Sequence, residues 1–418
     1  MGDVENNLGV FGGQPSPVGH VFSFDRDSLR APLHTRIYSP RETSQILRNY
    51  QKEMHLFEAC SGDFVMHIST HAEPSSGHFN CGGLRLVPEA MVTPDYRNDL
   101  AALRLGKEMD AKGDYARISQ VAGPLVAANF ERIHFGKHVA CPPVGARAGE
   151  PREIEFLQFV ISALEEFRNQ MGIEVITGQD LGHGPLASVK QSTLGYLSER
   201  FSGCMDIDTS LPTAVGNFYV TKGLIEALDM DLRQSRVGLV GYGNIGTKLA
   251  SLFNKAGVRR LSICESNPGR QDAALRDCDG GVWPGDMLEE FLAQDHDVVV
   301  FNSNGGSLDS RVVSIIANSK TIKGVTGCEN MIWPGGISRE RELLSGKVVM
   351  PPTEFSGMGG WLGAAEASIA RAKKVTFKLE DMFQPLRRLT EVTAEVVRGI
   401  AEDNYQPTFA ESLHRIYR

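Results

Sequence analysis

The feature that most constrains the fold is a glycine-rich turn between an apolar strand and a helix. The apolar segment 237–240 runs directly into Gly241-Tyr242-Gly243-Asn244-Ile245-Gly246, and a helix is predicted to follow. In such a turn the first glycine permits tight bending, the second lets the backbone approach a pyrophosphate, and the third lets helix and strand pack closely. The pattern predicts a dinucleotide-binding loop. The alternative is a structural glycine turn that binds no nucleotide.

An acidic residue ends the next predicted strand. The apolar segment 261–264 is followed by Glu265, and a carboxylate there accepts hydrogen bonds from ribose hydroxyls and repels a 2′-phosphate. The pattern therefore predicts a Rossmann domain that binds NAD. Ser266 and Arg270 follow closely and could accommodate a phosphate, which leaves NADP open as the alternative.

Length and charge limit the remaining possibilities. A chain of 418 residues exceeds one typical core, so two domains are expected. The net charge of −8 argues against nucleic acid or an anionic membrane as the main partner. The seven cysteines are scattered, which favours reduced thiols and a cytoplasmic protein. The N-terminus is polar and acidic, unlike a signal peptide, and no apolar run approaches the ~18 residues that span a bilayer.

The apolar pattern divides the chain into four parts. Residues 1–50 lack a sustained period and are interpreted as an N-terminal extension. Residues 51–205 combine strand-like and helical periods and are predicted to form an α/β substrate and oligomerisation domain. Residues 206–365 alternate helices with short predicted strands, the last of them at 347–350, which indicates a parallel sheet covered on both faces. Residues 366–418 are predicted to be helices that return to the first domain. We expect the small-molecule site in the cleft between the domains.

Six short motifs follow one another along the chain in a characteristic order. They are Cys81-Gly82-Gly83-Leu84-Arg85, Met109-Asp110-Ala111-Lys112, Gln179-Asp180-Leu181-Gly182, Thr213-Ala214-Val215-Gly216, Gly327-Cys328-Glu329-Asn330 and Gly359-Gly360. Over roughly residues 57–416 this set resembles the glutamate/leucine/phenylalanine/valine dehydrogenase family, and the leucine dehydrogenases most of all. The resemblance implies reversible, nicotinamide-dependent oxidative deamination of an amino acid.

The resemblance also implies roles for individual residues. Lys112 corresponds to the lysine that holds the substrate carboxylate, and Asp180 to the aspartate that handles the amine protons. Thr213 corresponds to a threonine near the nicotinamide. Asn330 matches the asparagine at the end of a strand in the cofactor domain.

The family's second lysine, which activates water, has no match at the aligned position. Counting from the Lys112 motif places Pro124 there, and the next lysine, Lys137, is expected to offer little rescue. The sequence thus predicts a divergent member that lacks the catalytic lysine. His183, whose ordinary pKa lies near ~6.5, is the proposed replacement acid or base. Tyr115 and Arg117 lie between the two lysine positions and are further candidates.

By the same resemblance, Cys81, Gly82 and Gly83 contribute to substrate binding, and Gly178, Trp361 and Ala364 line the side-chain pocket. Trp361 would either fill that pocket or stack on a planar group, and the alternative is a core tryptophan at the domain junction. The pairs His67/His71 and His134/His138 have helix-face spacing but no recognisable third ligand, so no metal is predicted.

These observations predict an NAD-dependent oxidoreductase that acts on an amino or imino acid or a related specialised metabolite. The loss at Pro124 favours a route other than lysine-assisted deamination. The alternatives are a repurposed protein that retains NAD for a non-redox step, and a non-catalytic oligomeric partner. We expect a cytoplasmic homo-oligomer, a dimer or larger, that binds a small molecule and neither nucleic acid nor membrane.

Overall fold

The computed structural model describes residues 29, 31–48, 50–74 and 77–417. Most of the predicted N-terminal extension, residues 1–28, lies outside the described residues. The described part differs from a free extension, because it forms strand β1 (His34–Tyr38) and helix α1 (Pro40–Ile46). The strand pairs antiparallel with β2 (His55–Ser61), and the Ser39 side chain caps α1 by accepting from the Glu42 amide. Backbone pairing holds this strand, whose mostly exposed side chains give no hydrophobic period.

The first domain is built on a seven-stranded mixed sheet. Its other strands are β3 (Phe64–Thr70), β4 (Phe79–Cys81), β5 (Leu84–Leu86), β6 (Ile133–Cys141) and β7 (Glu174–Ile176). The spatial order is β1-β2-β3-β6-β4-β7, with β5 also paired to β6. The first three strands and β6 pair antiparallel, whereas β4, β5 and β7 join by parallel pairing.

Helices cover this sheet. They are α2 (Asn98–Ser119), α3 (Pro124–Ala127), α4 (Glu153–Met171) and α5 (Thr193–Arg200). Helix α4 supplies Phe156, Phe159 and Phe167 to a core shared with strands β2 and β3. Helix α2 packs on β6 and β3, and Glu108 and Lys112 in its middle contact residues that follow β12 of the second domain.

The second domain contains the predicted parallel sheet. Its strands are β8 (Arg236–Val240), β9 (Arg260–Glu265), β10 (Val282–Pro284), β11 (Val298–Phe301) and β12 (Gly324–Gly327), in the order β10-β9-β8-β11-β12. All pairings are parallel. The predicted strand at 347–350 is only an isolated bridge between Gly324 and Val349. The strand order reverses between β8 and β11, which is where open α/β sheets bind ligands.

The helices of this domain are α6 (Ser210–Ala227), α7 (Asn244–Ala256), α8 (Pro268–Asp277), α9 (Leu288–Leu292), α10 (Ser310–Ala317), α11 (Glu340–Ser345) and α12 (Thr353–Ser356). The chain ends in α13 (Gly359–Lys373), α14 (Phe383–Glu402) and α15 (Phe409–Tyr417). Helix α13 contacts α3, and α15 contacts α2, so the last helices do return to the first domain. Helix α14 instead packs along α6. No helix among the described residues is long and apolar enough to cross a membrane.

Candidate active site

A cleft of about 320 Å³ opens between the two domains. The first domain contributes the Gly82-Gly83 turn, Met109 and Lys112 from the middle of α2, and the loop after β7. The second domain contributes the glycine loop and the ends of β11 and β12. Predicted residues that are distant in sequence meet here, namely Cys81, Gly82, Gly83, Lys112, Asp180, Thr213, Gly243, Asn244, Ile245, Asn330 and Trp361.

Asp180 is the centre of a charged group on the first-domain side of the cleft. Its Oδ2 atom lies 2.7 Å from Lys137 Nζ and 3.0 Å from Arg85 Nε. None of the three side chains is more than 10% exposed. A side chain at Gly83 would press on Lys137 Nζ and the Asp180 Cβ atom, at 3.1 and 3.3 Å from its Cβ position. The glycine turn therefore leaves room for the lysine and the aspartate to meet.

The two partners titrate differently from exposed residues. Burial raises the pKa of Asp180, but the Arg85 and Lys137 cations outweigh burial and hold the pKa well below its usual range. Burial lowers the pKa of Lys137, although the Asp180 carboxylate opposes that change. The Lys137 amine thus releases its proton more readily than an exposed lysine, as a general acid or base must.

The prediction that no second lysine reaches the site is wrong. Pro124 is exposed at the start of α3 and does not line the cleft. The amides of Leu125 and Val126, which follow it, donate to the Glu366 carboxylate instead. Lys137 enters the cleft from β6 because that strand lies between β3 and β4 in the sheet. Counting along the chain missed this lysine, and the only local signal was the adjacent Gly136.

Lys112 lies in the cleft as predicted, but it also bridges the domains. It is 8% exposed, and its Nζ atom donates to Asn330 Oδ1 at 2.9 Å. Asn330 follows the end of β12, in the second domain. An ammonium group has three donors, so two remain for a ligand.

His183 does not face the reacting part of the site. Its Nε2 atom is 2.8 Å from the Leu84 carbonyl oxygen and its Nδ1 atom 3.0 Å from Thr193 Oγ1. Burial lowers its pKa, and the residue does not line the cleft that holds Lys112 and Asp180. The prediction that His183 replaces the catalytic lysine is therefore wrong, because both ring nitrogens hold the loop after β7 in place.

The glycine loop has the shape that a pyrophosphate requires. Gly241 has a φ of +89°, a conformation that a residue with a side chain rarely adopts. A Cβ atom on Gly246 would overlap the carbonyl oxygen of Gly241, so this close approach of helix and strand needs glycine. Gly243, Asn244 and Ile245 line the cleft at the N-terminus of α7, where free amides and the helix dipole favour an anion.

Glu265 lies at the end of β9, beside this loop. Its Oε2 atom accepts from the Tyr242 amide and its Oε1 atom from the Asn267 amide, each at 2.6 Å. A carboxylate has about four acceptor sites, so capacity for ribose hydroxyls remains. Glu265 lies behind the lining of the cleft, whereas Arg270 lines it and places a cation near the glycine loop.

The carboxyl end of β11, which lies against Gly241 of the glycine loop, contains a donor that sequence reasoning missed. Asn302 follows β11 at the carboxyl edge of the sheet, and its Oδ1 atom accepts from Asn217 Nδ2 at 3.0 Å. Among the described residues its enclosed Nδ2 atom has no hydrogen-bond partner. Thr213 lines the cleft nearby, with its hydroxyl donating to the Thr209 carbonyl. The orphaned donor and the empty volume above the glycine loop fit a polar dinucleotide. The signal in the sequence was a polar residue directly after an apolar strand.

The predicted substrate-pocket residues meet at the first-domain end of the cleft. Cys81, Gly178, Trp361 and Ala364 all line it. Burial raises the pKa of the Cys81 thiol to about 12, so this side chain is neutral. Trp361 is 6% exposed and packs edge-on against Phe135, with ring centroids 4.9 Å apart. It is thus both a core residue and a wall of the pocket.

Three of the four histidines in the two pairs, His67, His71 and His138, make hydrogen bonds within the first domain. His67 lies 3.1 Å from Glu58 Oε2, and His138 lies 2.9 Å from Thr177 Oγ1. Across the described ranges, no group of three or more His, Cys, Asp or Glu side chains is arranged to hold a metal ion.

Comparison with known proteins identifies the fold. No family model and no curated protein sequence matches the chain. Among solved structures, L-tryptophan dehydrogenase from Nostoc punctiforme is 16% identical with a TM-score of 0.58, covering 90% of this chain and 97% of that one. The hetero-hexameric glutamate dehydrogenase from Thermus thermophilus is 17% identical with a TM-score of 0.59, covering 92% and 88%. Glutamate dehydrogenase from Peptoniphilus asaccharolyticus is 14% identical with a TM-score of 0.53, covering 92% and 88%.

These structures share the two-domain α/β architecture over most of both chains. The chain therefore has the fold of the amino-acid dehydrogenases, and the predicted fold class is confirmed. At these identities the likeness concerns the fold, and function has to be argued from the site.

Proposed function

We propose that the protein is an NAD-dependent dehydrogenase that interconverts a 2-amino acid bearing an uncharged side chain with its 2-oxo acid. The observation that carries the proposal is the 2.7 Å contact between Lys137 and Asp180 in the cleft that also holds the glycine loop. The missing lysine at Pro124 was the reason for favouring a route other than lysine-assisted deamination. Lys137 removes that reason, because it is a second lysine in the site.

Lys112 is proposed to bind the substrate carboxylate. Its ammonium group lies in the cleft, with one hydrogen bond to Asn330 and two donors left over. A cation that is 8% exposed attracts an anion strongly, because little water screens it. This contact would fix the Cα atom of the substrate near Lys137 and Asp180.

Lys137 and Asp180 are proposed to move the protons. In the oxidative direction, the amino acid and water would give the 2-oxo acid and ammonium, with the Cα hydride passing to NAD and one proton released. Asp180 would accept a proton from the substrate amine. Lys137, with its lowered pKa, would take a proton from the water that attacks the imino carbon. Arg85 would keep Asp180 ionised for this task.

The residues at the glycine loop would hold the cofactor. Gly241, Gly243 and Gly246 with the N-terminus of α7 suit the pyrophosphate, and Glu265 suits the adenosine ribose. Thr213, Asn302 and Asn330, which also line the cleft, are proposed to lie near the nicotinamide. NAD, when bound, supplies the hydride acceptor.

The substrate side chain is proposed to be uncharged. The walls at Cys81, Gly178, Trp361 and Ala364 carry no charge, and the thiol is held neutral by burial. A charged side chain there would lose water without gaining a partner, which is costly. Aliphatic or aromatic 2-oxo acids are therefore the expected substrates.

The test is a panel of 2-oxo acids supplied with ammonia and NADH or NADPH, followed by absorbance at about 340 nm. We expect turnover with aliphatic or aromatic members, little with 2-oxoglutarate, and preference for NADH because of Glu265. Tight NAD retention without any absorbance change would instead favour a non-redox role. Failure to bind either dinucleotide would favour a non-catalytic oligomeric partner. The homo-oligomer and the cytoplasmic location remain predictions, to be checked by light scattering and by fractionation.

A further inference from the structure

One acidic and one basic side chain on α2 bind two consecutive residues of the second domain. Glu108 and Lys112 lie one helical turn apart on this helix. Lys112 Nζ donates to the Asn330 side chain at 2.9 Å, and Glu108 Oε1 accepts from the Met331 amide at 2.7 Å. Met331 has a φ of +52°, so the backbone turns sharply at this contact. The first domain thus holds the segment after β12 at two neighbouring points.

The Glu108 carboxyl is only half satisfied. Its Oε2 atom is enclosed and has no hydrogen-bond partner among the described residues. The charged groups that act on it are Glu354 from α12, Lys112 from its own helix and Arg85 from β5. Burial and the Glu354 charge raise the pKa of Glu108 to about 8, against the opposing effects of Lys112, the hydrogen bond from the Met331 amide and Arg85. Near neutral pH this carboxyl is therefore mostly protonated while Met331 stays in place.

We propose that Glu108 is a positioning residue that fastens the Asn330–Met331 segment to α2 across the two domains, and that its carboxyl takes up a proton when this contact forms and the cleft closes. Fastening this segment also places Asn330 beside Lys112. The inference rests on the proposed function, because it assigns a control to the same cleft. Glu108 does not line the cleft and acts through Asn330 and Lys112.

The direction of the pH effect follows from linkage. When Met331 separates from α2, water reaches Glu108 and its pKa returns toward the ordinary value of about 4.3. At pH values between that one and about 8, Glu108 therefore binds a proton when the cleft closes. The equilibrium constant for closing is therefore largest at low pH. It falls as pH rises, by up to about tenfold per pH unit within this window. Above pH 8 the carboxyl is ionised in both forms, and the dependence levels off.

Glu108→Gln is the informative variant. A glutamine oxygen can still accept from the Met331 amide but cannot ionise. Glu108→Ala removes the acceptor, and Glu354→Gln removes the like charge while leaving Glu108 in place. Thermal unfolding of each variant checks that it is folded, and Glu108→Gln alone decides the question if the alanine variant fails to fold.

The probe is NADH, titrated by its fluorescence against the full chain from pH 6 to pH 9. NADH fills a cleft lined by both domains, so its affinity reports closing. For the unaltered protein we expect the Kd to rise at least about fivefold between pH 6 and pH 8 and then level off. Glu108→Gln should remove this rise, Glu108→Ala should bind weakly throughout, and Glu354→Gln should reach the plateau at lower pH.

Two results separate failure of this inference from failure of the proposed function. Identical pH profiles for the unaltered protein and Glu108→Gln would overturn the role of Glu108 while leaving the dehydrogenase proposal intact. Absence of NADH binding at every pH would overturn the dehydrogenase proposal itself. A change in kcat without a change in Kd or KM would also contradict a positioning role.

Discussion

The two halves of the cleft are built in different ways. On the side of the glycine loop, a single six-residue turn carries the loop shape, and Glu265 follows at the end of the next strand. On the substrate side, the reacting group joins Arg85, Lys137 and Asp180, which come from three separate segments. A local motif keeps its geometry wherever it occurs, whereas a group assembled across a sheet depends on strand order. This difference explains why the glycine loop was predicted from the sequence and the place of Lys137 was not.

The largest expected effect tests the assembled side. Lys137→Gln removes the amine while keeping a polar side chain, so we expect kcat to fall about 10²- to 10⁴-fold, as for loss of a general acid or base. NADH affinity should stay within about twofold, because the lysine lies on the other half of the cleft. Lys107→Gln, an exposed position on α2, is the matched control. An unchanged kcat in Lys137→Gln would show that Lys137 is not a catalytic residue.

The next effect tests the local side. In Gly246→Ala the new methyl group overlaps the Gly241 carbonyl and pushes α7 away from β8. We expect NADH affinity to fall about tenfold or more, with a loss of about 1–3 kcal/mol in unfolding free energy from overpacking. Fluorescence titration and chemical denaturation measure the two effects. Gly184→Ala, where a Cβ atom meets only a methyl group at 3.7 Å, should change neither quantity appreciably.

A smaller effect concerns the charge balance at Asp180. Its depressed pKa means that the ionised form and the stability it contributes persist above the ordinary value and disappear as pH falls through the depressed one. Arg85→Met removes one of the two cations, so the pKa rises. We expect the acidic limb of the kcat/KM profile to move up by about one pH unit. An acidic limb that stays in place would mean that Lys137 alone sets the charge state of Asp180.

The smallest effect on turnover is expected at His183. Its two ring nitrogens bind the Leu84 carbonyl and the Thr193 hydroxyl, away from the cleft. His183→Ala should leave kcat within about threefold and lower the unfolding free energy by about 1–2 kcal/mol through the lost hydrogen bonds. A large loss of kcat without loss of stability would restore this histidine as a catalytic group.

Most of the architecture was predictable from local pattern. The parallel sheet, the long helices α2 and α4 and the helical C-terminus follow from apolar periods of two and 3.6 residues. Strand β1 was missed because its exposed side chains carry no such period. The prediction of a strand at 347–350 was wrong. The apolar residues there are buried, as in a strand, but they pair with the sheet only through one isolated bridge to Gly324.

The site divides along the same line. Lys112, Asp180 and the glycine loop were predicted because each lies in a motif whose spacing is fixed within one turn or strand end. Lys137 and Asn302 were missed because their place depends on which strands become neighbours. The role of His183 was misjudged because sequence adjacency to Asp180 does not say which way a loop side chain points.

By itself, the sequence determined a two-domain α/β chain with a glycine loop at Gly241–Gly246 between a strand and a helix, and it indicated Lys112 and Asp180 as candidate site residues. Tertiary structure alone decided that Lys137 stands beside Asp180 and that Glu108 holds Met331. The physical reason is that burial and long-range pairing set both the distance between charged groups and their proton affinities. Neither quantity is encoded in the spacing of residues along the chain.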